Sequence, residues 1–171
     1  IMKYLKHLIL FILIFICAVS ISFAYKKIKI HKFWLRFGDG DTIIYRGETI
    51  RILGIDTPEV KNVNYGIMKD QYLGKEASLF TKKSLKKAKN IYYIPYKKDR
   101  YGRTLAHVIV DGKLLAVKLI KAGLAYETIS VYGDSGFPEF AALIKKAADE
   151  TAKPNFENPI YWKRKHQRKR R

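Results

Sequence analysis

The stretch Gly38–Glu59, GDGDTIIYRGETIRILGIDTPE, constrains this chain more than any other, because it sets five acidic residues into two strand-like runs joined by a tight turn. Residues 41–45 and 49–55 read as the arms of a β-hairpin around Arg46-Gly47-Glu48, with the glycine supplying the turn. Alternate residues of an extended chain share a face, so Asp39 and Asp41 point the same way. Pairing of the arms carries Asp41 toward Asp56 at the far end of the partner run. So many carboxylates in one hairpin require positive charge among them, either a bound cation or Arg51, which stands inside the apolar run RILGI. Two carboxylates, a backbone carbonyl and water make a hard-oxygen site of the kind that suits calcium, open enough to admit a phosphate oxygen. The plainer alternative makes Asp39-Gly40-Asp41 a turn and Asp56-Thr57-Pro58 a capped bend.

Arg51 is either a water-facing strand residue or a half-buried charge that needs an anion. Arg103 repeats the pattern at the head of another strand, in DRYGR, where the competing reading is an exposed turn arginine. Guanidinium groups grip phosphate through two parallel hydrogen bonds. Two of them around a phosphodiester would stabilise charge growing in the transition state. Glu59 follows Pro58, which restricts the local backbone, and a glutamate beside a bound phosphate can take a proton from an attacking water. An isolated Pro-Glu is otherwise an ordinary solvated loop.

The rest of the chain frames that hairpin. Residues 28–37 are β-rich, 60–71 are polar and loop-like, and Leu73, Ala77, Phe80, Leu85 and Ala88 recur at helical spacing up to a stop at Asn90. Ile91–Tyr96 predicts a strand with Pro95 at its edge or end, and residues 97–102 a turn. A strand over 104–110 follows, leading into Asp111-Gly112. Residues 116–122 read as a short helix closed by Gly123, and Pro138 opens a third helix through Phe140, Leu143, Ile144 and Ala147. Five strands, with one helix before the fourth and others behind, suit an α+β chain built on a small Greek-key barrel of the OB type, a common holder of nucleic acid.

Charge points to a polyanionic partner. The formal net charge is +19 over 171 residues, a field that attracts nucleic acid or anionic membranes. Residues 1–24 contribute only Lys3 and Lys6 to it and no acidic side chain, so the excess belongs to residues 25–171. The single cysteine, Cys17, excludes a disulfide within 25–171, and the four histidines lack metal-ligand spacing. Lys3 and Lys6 before an apolar run from Leu8 to Ala24 fit an export signal cut after Ala24, with an uncleaved membrane anchor as the rival. The expected organisation is therefore a signal or anchor over 1–24, a domain over 25–162 ending near Trp162, and a disordered basic tail over 163–171.

Asp39-Gly40-Asp41-Thr42, then Arg51 to Glu59 (RILGIDTPE), then Asp99-Arg100-Tyr101-Gly102-Arg103 resemble, in order, the three signature segments of the staphylococcal-nuclease (thermonuclease) family. The similarity spans roughly residues 28–162 and includes the intervening helix and Gly123-Leu124-Ala125. The resemblance implies a five-stranded OB barrel with about three helices and calcium-dependent hydrolysis of both DNA and RNA. Cleavage would fall on the 5′ P–O bond and leave 3′-phosphates. By position, Asp41, Asp56 and the Thr57 carbonyl would hold the metal, Arg51 and Arg103 would clamp the phosphate, and Glu59 would be the general base. Arg100 and Tyr101 would contact substrate phosphate, and Tyr132 would stack on a base, with Tyr126 in reserve. The hairpin turn is shorter than the family usually has, and Tyr45 stands where an aliphatic residue is usual. An exported monomer is expected, acting on DNA and RNA without an obligate protein partner and touching membrane only if residues 1–24 are retained. The rival functions are a non-catalytic OB module that binds nucleic acid or protein, and a membrane-tethered polyanion binder.

Overall fold

The computed structural model describes residues 25–167. The apolar run assigned to a signal or anchor, and the last four residues of the basic tail, lie outside them. Among the described residues no helix is long and apolar enough to cross a membrane.

The acidic hairpin forms as its sequence requires. Strand β3 (Thr42–Tyr45) pairs antiparallel with β4 (Glu48–Ile52), placing Thr42 opposite Arg51 and Tyr45 opposite Glu48. Arg46 and Gly47 both take positive φ, 52° and 84°, the two-residue turn whose twist matches the strands it joins. The expected trimming of the turn thus costs the hairpin no register.

Around it runs one curled sheet. Strands β1 (Ile28–Lys29), β2 (Leu35–Phe37), β6 (Ile91–Lys98) and β7 (Thr104–Val110) complete the order β1-β6-β7-β4-β3-β2, with the short β8 (Lys113–Leu114) also on β7. The β4–β7 pairing is parallel and the others are antiparallel. β1 and β2, at opposite ends of this order, are consecutive in the chain. The sheet therefore curls until a single segment serves both of its margins. The inner face carries Ile43, Ile50, Ile52, Ala106 and Val108, all buried. Alternation sends Thr49 and Arg51 to the other side of β4.

Three expectations about strands change. The run 49–55 is not one arm: β4 ends at Ile52, a turn follows at Leu53–Gly54, and Ile55–Asp56 form a separate strand. Residues 28–37 are not one strand: a 3-10 turn at Lys32–Trp34 interrupts them and projects Phe33 and Trp34 outward. Lys97 and Lys98 extend β6 instead of opening the turn. Pro95 lies within that strand, at a register shift and past the last residue paired with β1, where its missing N–H leaves no ladder bond unmade.

Helix α1 (Gly74–Lys87) buries Ala77, Thr81 and Leu85 at four-residue spacing and turns its lysines to solvent. α2 (Leu115–Lys121) ends at Gly123, whose φ of 68° lets Leu124 N–H reach back to the Leu119 carbonyl. α3 is the single turn Ile129–Tyr132, and α4 (Pro138–Asp149) packs on α2. α5 (Pro159–His166) starts at Asn158, whose side chain accepts from Ile160 N–H. The described residues thus hold five α-helices where about three were expected. Residues 163–166, expected in the disordered tail, are instead the last turn of α5, and the ordered chain continues past Trp162.

Candidate active site

Three short pieces meet at one end of the hairpin. Strand β5 (Ile55–Asp56) follows β4 and pairs with β9 (Tyr126–Glu127), setting Asp56 opposite Tyr126. The turn before β3 is clamped onto α1 by the Thr81 hydroxyl, which donates to the Gly40 carbonyl at 2.5 Å. A Cβ on Gly40 would lie 2.8 Å from both the Ala77 Cβ and the Thr57 Oγ1, so only glycine allows this approach. Close packing therefore brings the Asp39–Asp41 turn against the Thr57 backbone. Thr57 N–H donates to Asp41 Oδ2 at 2.8 Å.

Asp41 and Asp56 converge, with exposures of only 3% and 4%. Arg51 lies between them. Its guanidinium forms an ion pair with Asp41 Oδ1, another with Asp56 Oδ1 at 2.6 Å, and donates to the Ile55 carbonyl at 3.2 Å. Two buried carboxylates sharing one cation is an arrangement tolerable only while the positive charge stays, since an unpaired buried charge is costly.

Glu59 extends the cluster. Its backbone N–H donates to Gln71 Oε1 at 3.2 Å, and Gln71 in turn donates to the Glu157 carbonyl at 2.5 Å. Burial raises the Glu59 pKa above the ordinary glutamate range; Lys163 opposes this, while Asp39 and Asp56 add to it. Lys163, from α5, reaches Glu59 Oε1 at 2.8 Å and Asp56 Oδ1 at 3.5 Å. The sequence reading placed this lysine in the tail and so missed it. The available signal was Asn158-Pro159, a helix start that carries the basic run back over the site.

Arg103 stands apart from these carboxylates. Its Nε and Nη2 both bond Asp99 Oδ2 at 2.8 Å, and its N–H donates to Asp99 Oδ1 at 3.0 Å. Burial works against the Asp99 charge, yet hydrogen bonds from the Arg103 side chain and from the Arg103 and Tyr101 backbones outweigh it and hold the pKa below the usual range. The parallel register, Ile50 with Thr104 and Arg51 with Leu105, puts Arg103 beside Thr49. By strand alternation both arginines then belong to one face of the sheet. Arg103, Tyr101, Lys98, Tyr65 and Thr49 line a groove of about 380 Å³ on that face. Tyr101 is exposed and flanked by the Arg100 and Arg103 guanidiniums, 4.9 and 5.6 Å from its ring centroid. Tyr132 is exposed at the end of α3, whereas Tyr126 donates its hydroxyl to the Phe156 carbonyl at 2.8 Å. That bond ties Tyr126 into the fold, so that of these two tyrosines Tyr132 is the one offered to solvent.

The donor set fits a hard divalent cation. The two buried carboxylates meet on the Arg51 guanidinium, and Asp39 Oδ1 and Thr57 Oγ1 are buried without hydrogen-bond partners, oxygen donors of the type such an ion takes. Among the described residues no group of three or more His, Cys, Asp or Glu side chains is placed to hold a metal ion.

The family model described as "Staphylococcal nuclease homologue" matches residues 49–154. That span contains Arg51, Asp56, Thr57, Glu59, Arg100, Tyr101, Arg103 and Tyr132, with Asp41 just before it. The chain is 39% identical over 120 residues to the thermonuclease of Staphylococcus intermedius, covering 67% of each chain. It is 44% identical over 96 residues to the thermonuclease of Staphylococcus hyicus, covering 53% of this chain and 55% of that one. Endonuclease YncB of Bacillus subtilis (strain 168) is 42% identical over 93 residues, covering 51% and 43%. The chain thus spans about two thirds of the first relative's length and about half of the other two.

Proposed function

This chain belongs to the staphylococcal nuclease family and is a nuclease-class hydrolase, and from that premise we propose that it cuts DNA and RNA phosphodiesters in a calcium-dependent reaction at the Asp41–Asp56–Glu59 cluster. One observation carries the proposal: two buried carboxylates converge on a shared guanidinium, with a third carboxylate of raised pKa beside them. The curled sheet has seven strands, with a parallel β4–β7 pairing and margins joined through one segment; counting β1 and β2 as that one segment and β8 as a two-residue addition, it supports assignment to a five-stranded OB barrel.

In this reading Asp41, Asp56 and the Thr57 carbonyl hold the ion. A calcium ion bound there supplies Lewis-acid polarisation of a phosphoryl oxygen. Glu59 takes a proton from the attacking water, and a carboxylate whose pKa burial raises is the stronger base for that task. The water oxygen bonds to phosphorus as the P–O5′ bond breaks, and the departing O5′ takes a proton from solvent, leaving a 3′-phosphate and a 5′-hydroxyl. Arg51 and Arg103 bind the non-bridging oxygens, with Arg103 aimed by its anchor on Asp99. Arg100, Tyr101 and Tyr132 steady the neighbouring nucleotides. The protein works outside the cytoplasm, delivered by the apolar run 8–24.

The test is digestion of single-stranded DNA and of RNA with calcium and with chelator, followed by end-group analysis. Calcium-dependent cutting that leaves 3′-phosphates is the expected result. Equal digestion in chelator overturns the metal role, and 5′-phosphate ends overturn the direction of cleavage.

A further inference from the structure

The 3-10 turn at Lys32–Trp34 leaves two large apolar side chains in water. Phe33 is 86% exposed and Trp34 52% exposed, their rings locked edge to face with centroids 4.9 Å apart. Neither belongs to the candidate site. Basic groups surround them. Lys32 Nζ donates to the Lys86 carbonyl at 2.9 Å, which docks the turn on the last turn of α1 beside Lys86 and Lys87. Arg46 N–H bonds the Trp34 carbonyl at 3.3 Å, and Arg36 is exposed two residues beyond Trp34. No acidic residue occurs from Tyr25 to Gly38 or from Ala77 to Lys98; the acidic groups set against these segments include Glu48, which lines a pocket with Lys29, His31 and Arg46, and Asp111, which accepts from the Lys89 and Asn90 N–H groups.

We propose that this corner is a membrane-contact surface, with Phe33 and Trp34 entering the headgroup region of an anionic bilayer and Lys32, Arg36, Lys86 and Lys87 pairing with lipid phosphates. An apolar wedge ringed by cations is the combination such a surface binds, since aromatic insertion and headgroup attraction are each weak alone and act together. A nucleic acid occupant suits the corner less well. Successive bases stack on ring faces, whereas these rings meet at 89° and present an edge and a wedge. Chain length adds a second argument. Phe33 follows the end of the apolar run 8–24 by nine residues, so it lies within roughly 30 Å of that end even if the link is fully extended. A bilayer that engages the run therefore brings its headgroups within reach of the corner.

Trp34 and Trp162 are the two tryptophans, and Trp162 is buried, so Trp34 can report its own surroundings. Full-length protein is reconstituted in chelator into vesicles of phosphatidylcholine alone, or mixed with phosphatidylglycerol, both with brominated acyl chains. The expected result is loss of more than half of the Trp34 emission in the anionic vesicles and little loss in the neutral ones. The signal should vanish in Trp34→Phe and fall toward the neutral level when Lys32, Lys86 and Lys87 are all changed to Gln. Nuclease activity in solution should be unchanged in Phe33→Ser, which confirms folding and separates this test from that of catalysis. Equal quenching in both vesicles would mean that the apolar run alone places Trp34, and overturns the proposal. So does absence of quenching in both, or shielding of Trp34 by a single-stranded oligonucleotide but not by lipid.

Discussion

His107 offers the sharpest test of how this fold responds to acid. It lies in β7 at 1% exposure, with its ring edge-on to Phe137 and Phe140 at centroid distances of 5.0 and 4.9 Å. Neither ring nitrogen has a hydrogen-bond partner. Burial pushes its pKa from 6.5 down to about 4, because an imidazolium there would lose its hydration and gain no anion. The unfolded chain accepts the proton near 6.5, while the folded protein refuses it until about 4. The contribution to stability is therefore complete above pH 6.5 and is lost as pH falls from 6.5 toward 4. At about 1.4 kcal/mol per pH unit the loss comes to about 3 kcal/mol, a large share of the roughly 5–15 kcal/mol typical of a domain. His107→Leu abolishes the titration without adding a polar group. Urea unfolding should be followed by circular dichroism. The difference between wild type and variant should be flat above pH 6.5 and change by about 3 kcal/mol by pH 4. Parallel curves across that range would refute the buried, unpartnered histidine.

Removing Arg51 as Arg51→Ala should lower kcat about 10²–10³-fold, as for a lost oxyanion donor. It should also cost the metal-free protein about 3–5 kcal/mol by stranding two buried carboxylates; unchanged kcat together with unchanged urea midpoint would dismiss its place between them. Glu59→Gln should slow hydrolysis about 10²–10⁴-fold with little change in KM, and an equal loss of substrate affinity would make the residue structural instead. Lys163→Gln removes the cation that restrains the Glu59 pKa, so the acid limb of kcat/KM should move to higher pH; an unmoved limb sinks that coupling. Gly74→Ala would normally stabilise a helix by roughly 0.5–1 kcal/mol, but here the new Cβ runs into the Glu59 carbonyl. Destabilisation by about 1–3 kcal/mol is expected instead, and a stabilised variant in urea would show that the contact yields freely.

What could be read from the sequence follows the range over which each feature is encoded. The meeting of Asp41 and Asp56 was legible only in part: the hairpin's turn and alternation lie within twenty residues, but Asp56 stands beyond a turn at Leu53–Gly54, in β5 paired with β9. Arg51 was legible as a charge in an apolar run that had to find an anion nearby. Lys163 was not, since it reaches Asp56 across 107 positions from a basic stretch in which no local pattern distinguishes the one lysine that turns inward. The break at Lys32–Trp34 was hidden by its own composition: apolar residues from Ile28 to Phe37 look like a strand, and nothing in their order says that Phe33 and Trp34 face water. Length alone hinted at the division, because a ten-residue run that must serve both margins of a curled sheet has to change direction once. The site therefore has two origins. Asp41 and Arg51 come from one hairpin that needs no distant information, while Asp56 is set by the pairing of β5 with β9 and the lysine that tempers the acids arrives with a helix from the far end of the chain. Docking of that helix, through Lys163 on Glu59 and Gln71 on the Glu157 carbonyl, is the step that converts a cluster of repelling acids into a balanced pocket.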